Sequence, residues 1–202
     1  MKKSFCLFIL LAIGASIAGA QTAQTDASAN DDAAVAARKL ASHDPLVRQG
    51  AAEVLARAGA TEHRRVVEGY RLQEKNSRVR LALEWALYRM GKSESLFTIV
   101  RALDSSRDDQ AASYLNTLED PKPLYFFLER MNGNTQIKLL DILARVGDAG
   151  TLDKIKPYSN SFDSKIAEAA QRAAREIEQR LGETPANRST RPRKAIASEN
   201  TG

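Results

Sequence analysis

The chain is nearly free of thiols and imidazoles. Its single cysteine, Cys6, lies in an apolar run near the N-terminus, and its two histidines are His43 and His63. If that run is removed as a signal peptide, the remaining chain has no disulfide, no cysteine-ligated metal and no cysteine nucleophile. His43 lies in a predicted turn, and His63 precedes two arginines, which would repel a metal cation.

Common catalytic signatures are missing as well. The sequence has no H-E-x-x-H pair, no G-x-S-x-G elbow and no glycine-rich phosphate loop. The acidic pairs Asp31-Asp32 and Asp108-Asp109 are explained as favourable charges near helix N-termini. We therefore expect a protein that is not an enzyme, with no catalytic residue, no cofactor and no metal site.

The first 20 residues have the pattern of a secretory signal peptide. Two lysines precede an apolar run from Phe5 to Ile17, and Ala18-Gly19-Ala20 follows it. The run is shorter than the ~20 apolar residues of a membrane-spanning helix. The final tripeptide is a typical cleavage site. The sequence therefore predicts cleavage near Ala20 and a periplasmic or secreted protein.

Polar segments flank the predicted folded domain, residues 31–182. Residues 21–30 are rich in Ala, Thr, Gln and Ser, and residues 183–202 are polar with two prolines, a composition that favours disorder. The C-terminal segment also carries a basic group: Arg188, Arg191, Arg193 and Lys194. Removal of Lys2 and Lys3 with the signal peptide lowers the formal net charge from +5 to +3, which is too mild for a dedicated nucleic-acid binder. We expect no nucleic acid, and at most a weak contact of the basic tail with a membrane surface.

An internal repeat predicts the fold class. An Asp or Asn recurs at spacings of 32, 28, 28 and 28 residues: Asp44, Asn76, Asp104, Asn132 and Asn160. Each is a predicted helix N-cap, because its short side chain accepts from the free N–H groups of the first turn. Apolar residues follow at helical spacing and predict one buried stripe. In the first copy these are Val47, Ala51, Val54, Leu55 and Ala58.

Three of the copies end in the pattern L-x-R-x-G. The leucine belongs to the buried stripe, and the arginine lies in the last turn, where a cation interacts favourably with the helix dipole. The glycine is predicted to end the helix in a left-handed conformation. These glycines are Gly59, Gly91 and Gly147.

A second apolar segment lies between successive capped helices. The predicted helices cover residues 62–73, 94–103, 121–131 and 151–158, with 32–42 before the first copy. A longer helix over 162–181, with Ile166 to Leu181 along its docked face, is predicted to cap the array. No long strand-like alternation is present. We predict an all-α fold, an α-solenoid of about five helix pairs.

The repeat resembles a known family. Asp44-Pro45-Leu46-Val47-Arg48, followed by Ala51-Ala52 and Leu55, resembles the D-P-x-V-R-x-x-A-A-x-x-L signature of HEAT repeats. The segment from Gly147 to Leu152 is similar to the G-D-x-x-A-L start of repeats in the short, phycobilin-lyase-like HEAT subfamily. The resemblance covers about residues 32–181 and is weakest in the third copy. It implies a right-handed solenoid, but the family's functions range from scaffolds to chromophore lyases and a metal-dependent hydroxylase. The His-Glu dipeptides of that hydroxylase are absent here.

One helix face differs from its counterparts. Three positions that should face away from the buried stripe are Gln49, Glu53 and Ala56 in the first copy, whereas in the second they are Leu81, Trp85 and Tyr88. Two interpretations remain open. A middle helix of a solenoid is contacted on both sides, so these residues could simply pack. Alternatively, they form an aromatic anchor for a partner.

Charged residues accompany this face, and the resemblance places them on a concave surface. The candidate partner-binding residues are Leu81, Trp85, Tyr88, Glu53, Glu84, Arg57, Arg89 and Arg145. We hypothesise an exported, monomeric, non-catalytic binding or scaffold protein that presents this surface to a protein or peptide partner. The alternative is a lyase-like or chaperone-like accessory protein that delivers a tetrapyrrole or another cofactor to a client.

Overall fold

The computed structural model describes residues 31–182. The predicted signal peptide (1–20), linker (21–30) and basic tail (183–202) lie outside the described residues. Every regular element in the described range is a helix, which confirms the all-α prediction. No helix in that range is both long enough and apolar enough to span a membrane. The chain divides into two compact units, with the boundary between Gly91 and Lys92.

The first unit contains four α-helices in its described part. They are α1 (31–39), α2 (Pro45–Ala58), α3 (Arg64–Gln73, preceded by a 3-10 turn at Thr61–His63) and α4 (Ser77–Arg89). Helix α2 packs along α4, and α3 contacts α4. The second helix of one pair therefore lies against the second helix of the next.

The second unit contains six further α-helices in its described part. They are α5 (Ser95–Ala102), α6 (Asp108–Leu115), α7 (Lys122–Leu128), α8 (Gly133–Val146), α9 (Ala149–Ile155, continued by a 3-10 turn at Lys156–Asn160) and α10 (Ser164–Gly182). Helix α8 contacts α6, α7 and α10, and its packing on α10 is the most extensive in this unit. The helices predicted between the capped ones, here α5, α7 and α9, and the long terminal helix α10 are thus present within a few residues of their predicted limits.

Side-chain caps begin two helices where the sequence predicts. The Asp44 carboxylate accepts a hydrogen bond from the Leu46 N–H at 2.8 Å. Oδ1 of Asn76 accepts from the N–H groups of Arg78 and Val79 at 3.0 and 3.2 Å. These bonds satisfy donors that have no partner inside the helix.

The repeat assigns the other three caps less well. Asn132 precedes α8, but its side chain makes no capping hydrogen bond. The prediction for Asp104 is wrong because α6 begins four residues later. Asn160 ends a 3-10 turn, and the carboxylate of Asp163 instead accepts from the Lys165 N–H at 2.9 Å. The spacing of 28 residues misses these starts because the turns between helices differ in length.

The buried stripe is confirmed most fully in α4. All five predicted positions are buried there: Val79, Leu83, Ala86, Leu87 and Met90. In α2, by contrast, Val47 is 39% exposed and Ala58 is exposed, because they lie in the first and last turns. Leu181, at the end of α10, is also exposed rather than docked.

Glycine ends the helices for two different reasons. Gly59 and Gly91 have φ values of 59° and 91°, the left-handed conformation that the sequence predicts. The prediction is wrong for Gly147, whose φ is −67°. A Cβ there would overlap the Leu143 carbonyl oxygen and lie 2.9 Å from the Ile177 side chain. Close packing, not backbone conformation, requires this glycine.

Candidate functional site

The aromatic face of α4 is buried. Leu81 and Trp85 are only 5% and 6% exposed, and Tyr88 is half-buried. The Trp85 ring stacks on Tyr88 with 5.5 Å between centroids, and the Arg89 guanidinium lies 5.9 Å from the Trp85 centroid. Of the two interpretations left open for this face, the burial favours packing, since α4 is buried without a break from Leu81 to Leu87. Packing accounts for Leu81 and Trp85.

The two predicted carboxylates make contacts within the first unit. Glu84 is 6% exposed, and its Oε1 accepts from Nη1 of Arg71 at 3.0 Å. Oε1 of Glu53 accepts from the Gln49 side-chain amide at 2.8 Å. A buried carboxylate needs such a partner, so the Arg71 contact stabilises Glu84 in the fold. Ala56, expected to be exposed, is also buried.

The three predicted arginines all lie in the last turns of their helices. Arg57 and Arg89 end α2 and α4 in the first unit, and Arg145 ends α8 in the second. Arg57 and Arg145 are exposed, whereas Arg89 is half-buried. A cation at the carbonyl end of a helix is stabilising. Their part in partner binding stays a prediction.

A different aromatic surface lies open to solvent on the second unit. Phe97 of α5 is 47% exposed and Phe126 of α7 is 50% exposed, while Phe127 beside them is 6% exposed. The Phe127 ring lies 6.1 Å from the Phe97 ring and 5.3 Å from the Phe126 ring, centroid to centroid. The three rings therefore form one connected surface with a buried base.

Arginines border this surface at both exposed rings. The Arg101 guanidinium carbon lies 5.9 Å from the Phe97 centroid, and that of Arg130 lies 3.7 Å from the Phe126 centroid. Cation–π attraction of this kind holds a guanidinium over a ring while its N–H groups stay available for hydrogen bonding. We call Phe97, Phe126, Phe127, Arg101 and Arg130 the phenylalanine patch.

The sequence contains a signal for this patch that the repeat analysis did not use. The buried residues of α5, Leu96, Ile99 and Val100, follow helical spacing, and Phe97 falls beside that stripe. Phe126 likewise lies in an apolar run too long for one helix face. In both cases an arginine follows the exposed phenylalanine four residues later, the spacing that brings side chains together on a helix surface. Arg101 lies in the last turn of α5, and Arg130 lies in the turn just after α7.

Among residues 31–182, neither patch arginine forms an ion pair with a carboxylate. One N–H group of Arg130 donates to the Phe126 carbonyl at a long 3.4 Å. The carboxylate of Glu129, the residue before Arg130, acts on Tyr158 of the second unit. The pKa of Tyr158 is raised mainly by burial and also by the negative charge of Glu129. The patch therefore combines exposed apolar rings with two guanidinium groups that form no ion pair with a carboxylate in the described range.

The second unit also has an open cleft of about 190 Å³ between α6 and α8. Three of its charged lining residues are paired. Lys138 Nζ lies 2.6 Å from Asp108, a hydrogen bond that lowers the pKa of the Asp108 carboxyl, and Arg172 lies 2.7 Å from Asp141. These pairs connect α8 to α6 and to α10. Asp109 and the predicted partner-binding residue Arg145 also line the cleft.

A hydroxyl cluster in the second unit serves a helix cap. The Asp148 carboxylate and the Thr151 hydroxyl exchange hydrogen bonds with each other's backbone N–H groups at the start of α9. The Tyr125 hydroxyl lies 2.7 Å from Oγ1 of Thr151, and burial raises the pKa of that phenol. Within residues 31–182, no group of three or more His, Cys, Asp or Glu side chains could hold a metal ion.

Comparison with known proteins adds little to this description. No protein-family model and no curated protein matches the chain. Among solved structures, the chain is similar to the crystal structure of an engineered protein. The two are 18% identical over 81% of this chain and 94% of that chain, with a TM-score of 0.35. A likeness at this level carries no argument about fold or function.

Proposed function

We propose that the protein is an exported, non-catalytic binding protein built from HEAT-like helix pairs, and that it binds a protein or peptide partner. The phenylalanine patch is the observation that carries this proposal. It replaces the face of α4 as the proposed partner site, because Trp85 is buried.

The patch has the composition and the rigidity of a binding surface. Aromatic residues and arginine are enriched in protein interfaces, and hot spots combine them in one cluster. The buried Phe127 ring fixes the position of both exposed rings, so little side-chain freedom is lost on binding. Covering the exposed half of a phenylalanine, ~80–100 Å², contributes about 2 kcal/mol at the usual value per unit area.

The helix packing supports the HEAT-like part of the proposal. Helix α2 lies on α4 in the first unit, and α8 lies on α6 and α10 in the second. Such contacts between successive second helices are expected of stacked helix pairs, in which each pair buries its apolar face against its neighbours. Solenoids of this kind commonly act through surfaces rather than enclosed sites.

Site-specific photo-cross-linking in the native envelope tests the proposed function. A photoreactive phenylalanine analogue replaces Phe97 in the full chain, and in a matched chain it replaces Phe162, which is fully exposed elsewhere in the same unit. We expect a discrete cross-linked product with the partner from position 97, and no product of the same mass from position 162. Identical adducts from both positions, or no adduct from position 97, would overturn the proposal.

A further inference from the structure

The charge around the phenylalanine patch restricts the chemistry of its partner. Arg101 and Arg130 each lie over a phenylalanine ring, and neither pairs with a carboxylate in the described range. Exposed charges of both signs flank the patch in the sequence: Glu94 and Asp104 around α5, and Lys122 and Glu129 around α7. Among the five residues of the patch itself, the charge comes from the two guanidinium groups.

The dimensions of the patch fit a short segment of chain. Because the Phe127 ring lies 6.1 Å from Phe97 and 5.3 Å from Phe126, the outer rings are at most about 11 Å apart, the length of three to four extended residues. An apolar side chain at the centre of such a segment would contact the two exposed rings, Phe97 and Phe126. Acidic residues on either side of it would meet the guanidinium groups.

Two other occupants fit less well. A second copy of the chain, docked patch to patch about a two-fold axis, would bring four guanidinium groups together, and like charges in an interface are costly. A single-stranded nucleic acid would need an open aromatic face on which to stack a base. The Phe126 face is occupied by the Arg130 guanidinium at 3.7 Å.

We infer that the phenylalanine patch binds an acidic–apolar peptide segment, in which one or two large apolar side chains lie between carboxylates. The apolar side chains pack on the exposed rings of Phe97 and Phe126, which the buried Phe127 ring supports from below. The carboxylates accept paired hydrogen bonds from Arg101 and Arg130, the geometry for which a guanidinium is suited. This inference rests on the proposed function and names the partner class of the same surface.

Fluorescence anisotropy with synthetic peptides tests the inference on the full mature chain. The acidic probe is a labelled ten-residue peptide with a Leu-Phe-Leu centre and glutamates on both sides, and the matched probe has glutamine at every glutamate position. We expect the glutamine probe to bind at least tenfold more weakly, and affinity for the acidic probe to fall as salt is raised. The double variant Phe97→Ser and Phe126→Ser should weaken acidic-probe binding at least tenfold, whereas Phe162→Ser should not.

A charge swap separates direct pairing from a general effect of net charge. The variant Arg101→Glu with Arg130→Glu should no longer bind the acidic probe. It should instead bind a probe in which lysine replaces every glutamate. The variant Lys165→Glu with Arg175→Glu changes net charge equally at exposed positions of α10 and should leave acidic-probe binding within twofold.

Several outcomes would overturn the peptide chemistry. These are equal binding of the acidic and glutamine probes, absence of binding at millimolar peptide, or failure of the lysine probe to bind the charge-reversed chain. Patch-dependent binding of oligo-dT, or of phosphatidylglycerol vesicles, tighter than that of the acidic probe would assign the surface to another class of partner. If the position-97 cross-link still forms in any of these cases, the proposed function stands and only the peptide chemistry fails.

Discussion

Arg48 and Glu74 form a two-pronged ion pair that joins two loops of the first unit. Nε and Nη2 of Arg48 lie 2.7 and 3.0 Å from the two carboxylate oxygens of Glu74. Nη1 of the same guanidinium donates to the Ser42 and His43 carbonyls at 2.8 and 3.0 Å. One side chain at the start of α2 therefore holds the α1–α2 loop against the α3–α4 loop. In the sequence, Arg48 is the arginine of the HEAT-like signature.

This ion pair predicts an acid-dependent part of the stability. The hydrogen bond from Arg48 lowers the pKa of Glu74 below its ordinary value in the folded chain. The stabilisation is therefore complete above the ordinary glutamate pKa and is lost as pH falls through the lowered one. Glu74→Gln should reduce the free energy of unfolding by about 1–2 kcal/mol at pH 7, and by progressively less as the solution is acidified. Urea unfolding between pH 3 and pH 7 measures the difference.

Glu62→Gln is the matched control for the ion pair. The Glu62 side chain is 53% exposed and lies 3.6 Å from the imidazole of His63. We expect its effect to stay within about 0.5 kcal/mol at every pH. A Glu74→Gln effect that does not shrink in acid would show that the carboxylate charge is not the source of the stabilisation.

The buried indole predicts a large loss of stability. Because Trp85 is 6% exposed, Trp85→Ala leaves a cavity and should lower the free energy of unfolding by about 3–5 kcal/mol. Trp85→Phe keeps most of the apolar volume and should cost clearly less. Thermal and urea unfolding followed by circular dichroism measure both changes. Wild-type stability in Trp85→Ala would mean that this face of α4 is open to solvent.

Two glycines predict opposite effects of the same substitution. At Gly147 a Cβ would overlap the Leu143 carbonyl and lie 2.9 Å from the side chains of Thr151 and Ile177, so Gly147→Ala should destabilise by about 2–4 kcal/mol. At Gly50, within α2, a Cβ meets nothing within 4 Å, so Gly50→Ala should stabilise by about 0.5–1 kcal/mol. Melting temperatures of the two variants should therefore move in opposite directions. A similar shift for both would contradict the packing account of Gly147.

The helices were predictable from sequence because their signals are local. Apolar spacing, the caps Asp44 and Asn76, and the left-handed Gly59 all act within a turn or two of the residues concerned. The 28-residue spacing failed at Asp104 and Asn160 because turn length is set by how each pair packs, which a fixed period does not contain.

The candidate surface was less predictable because burial depends on elements that are distant in the sequence. The spacing of Trp85 within α4 indicates only that it lies off the main stripe, and not whether another element covers it. Phe97 and Phe126 belong to apolar runs that were expected to pack, yet each is about half exposed. The arginine four residues after each phenylalanine is a local pattern, but the contact between the Phe97 and Phe127 rings requires α5 and α7 to come close together in the fold.

The central claim is that the phenylalanine patch is the surface through which this protein binds its partner. Quantitative capture of the partner from the native cells, by the full chain and by variants of equal helicity, is the strongest test of this proposal. We expect the double variant Phe97→Ser and Phe126→Ser to recover at least tenfold less partner than the wild-type chain does. The control Phe162→Ser should recover the same amount as the wild-type chain. Equal recovery by the patch variant and the wild-type chain would contradict it.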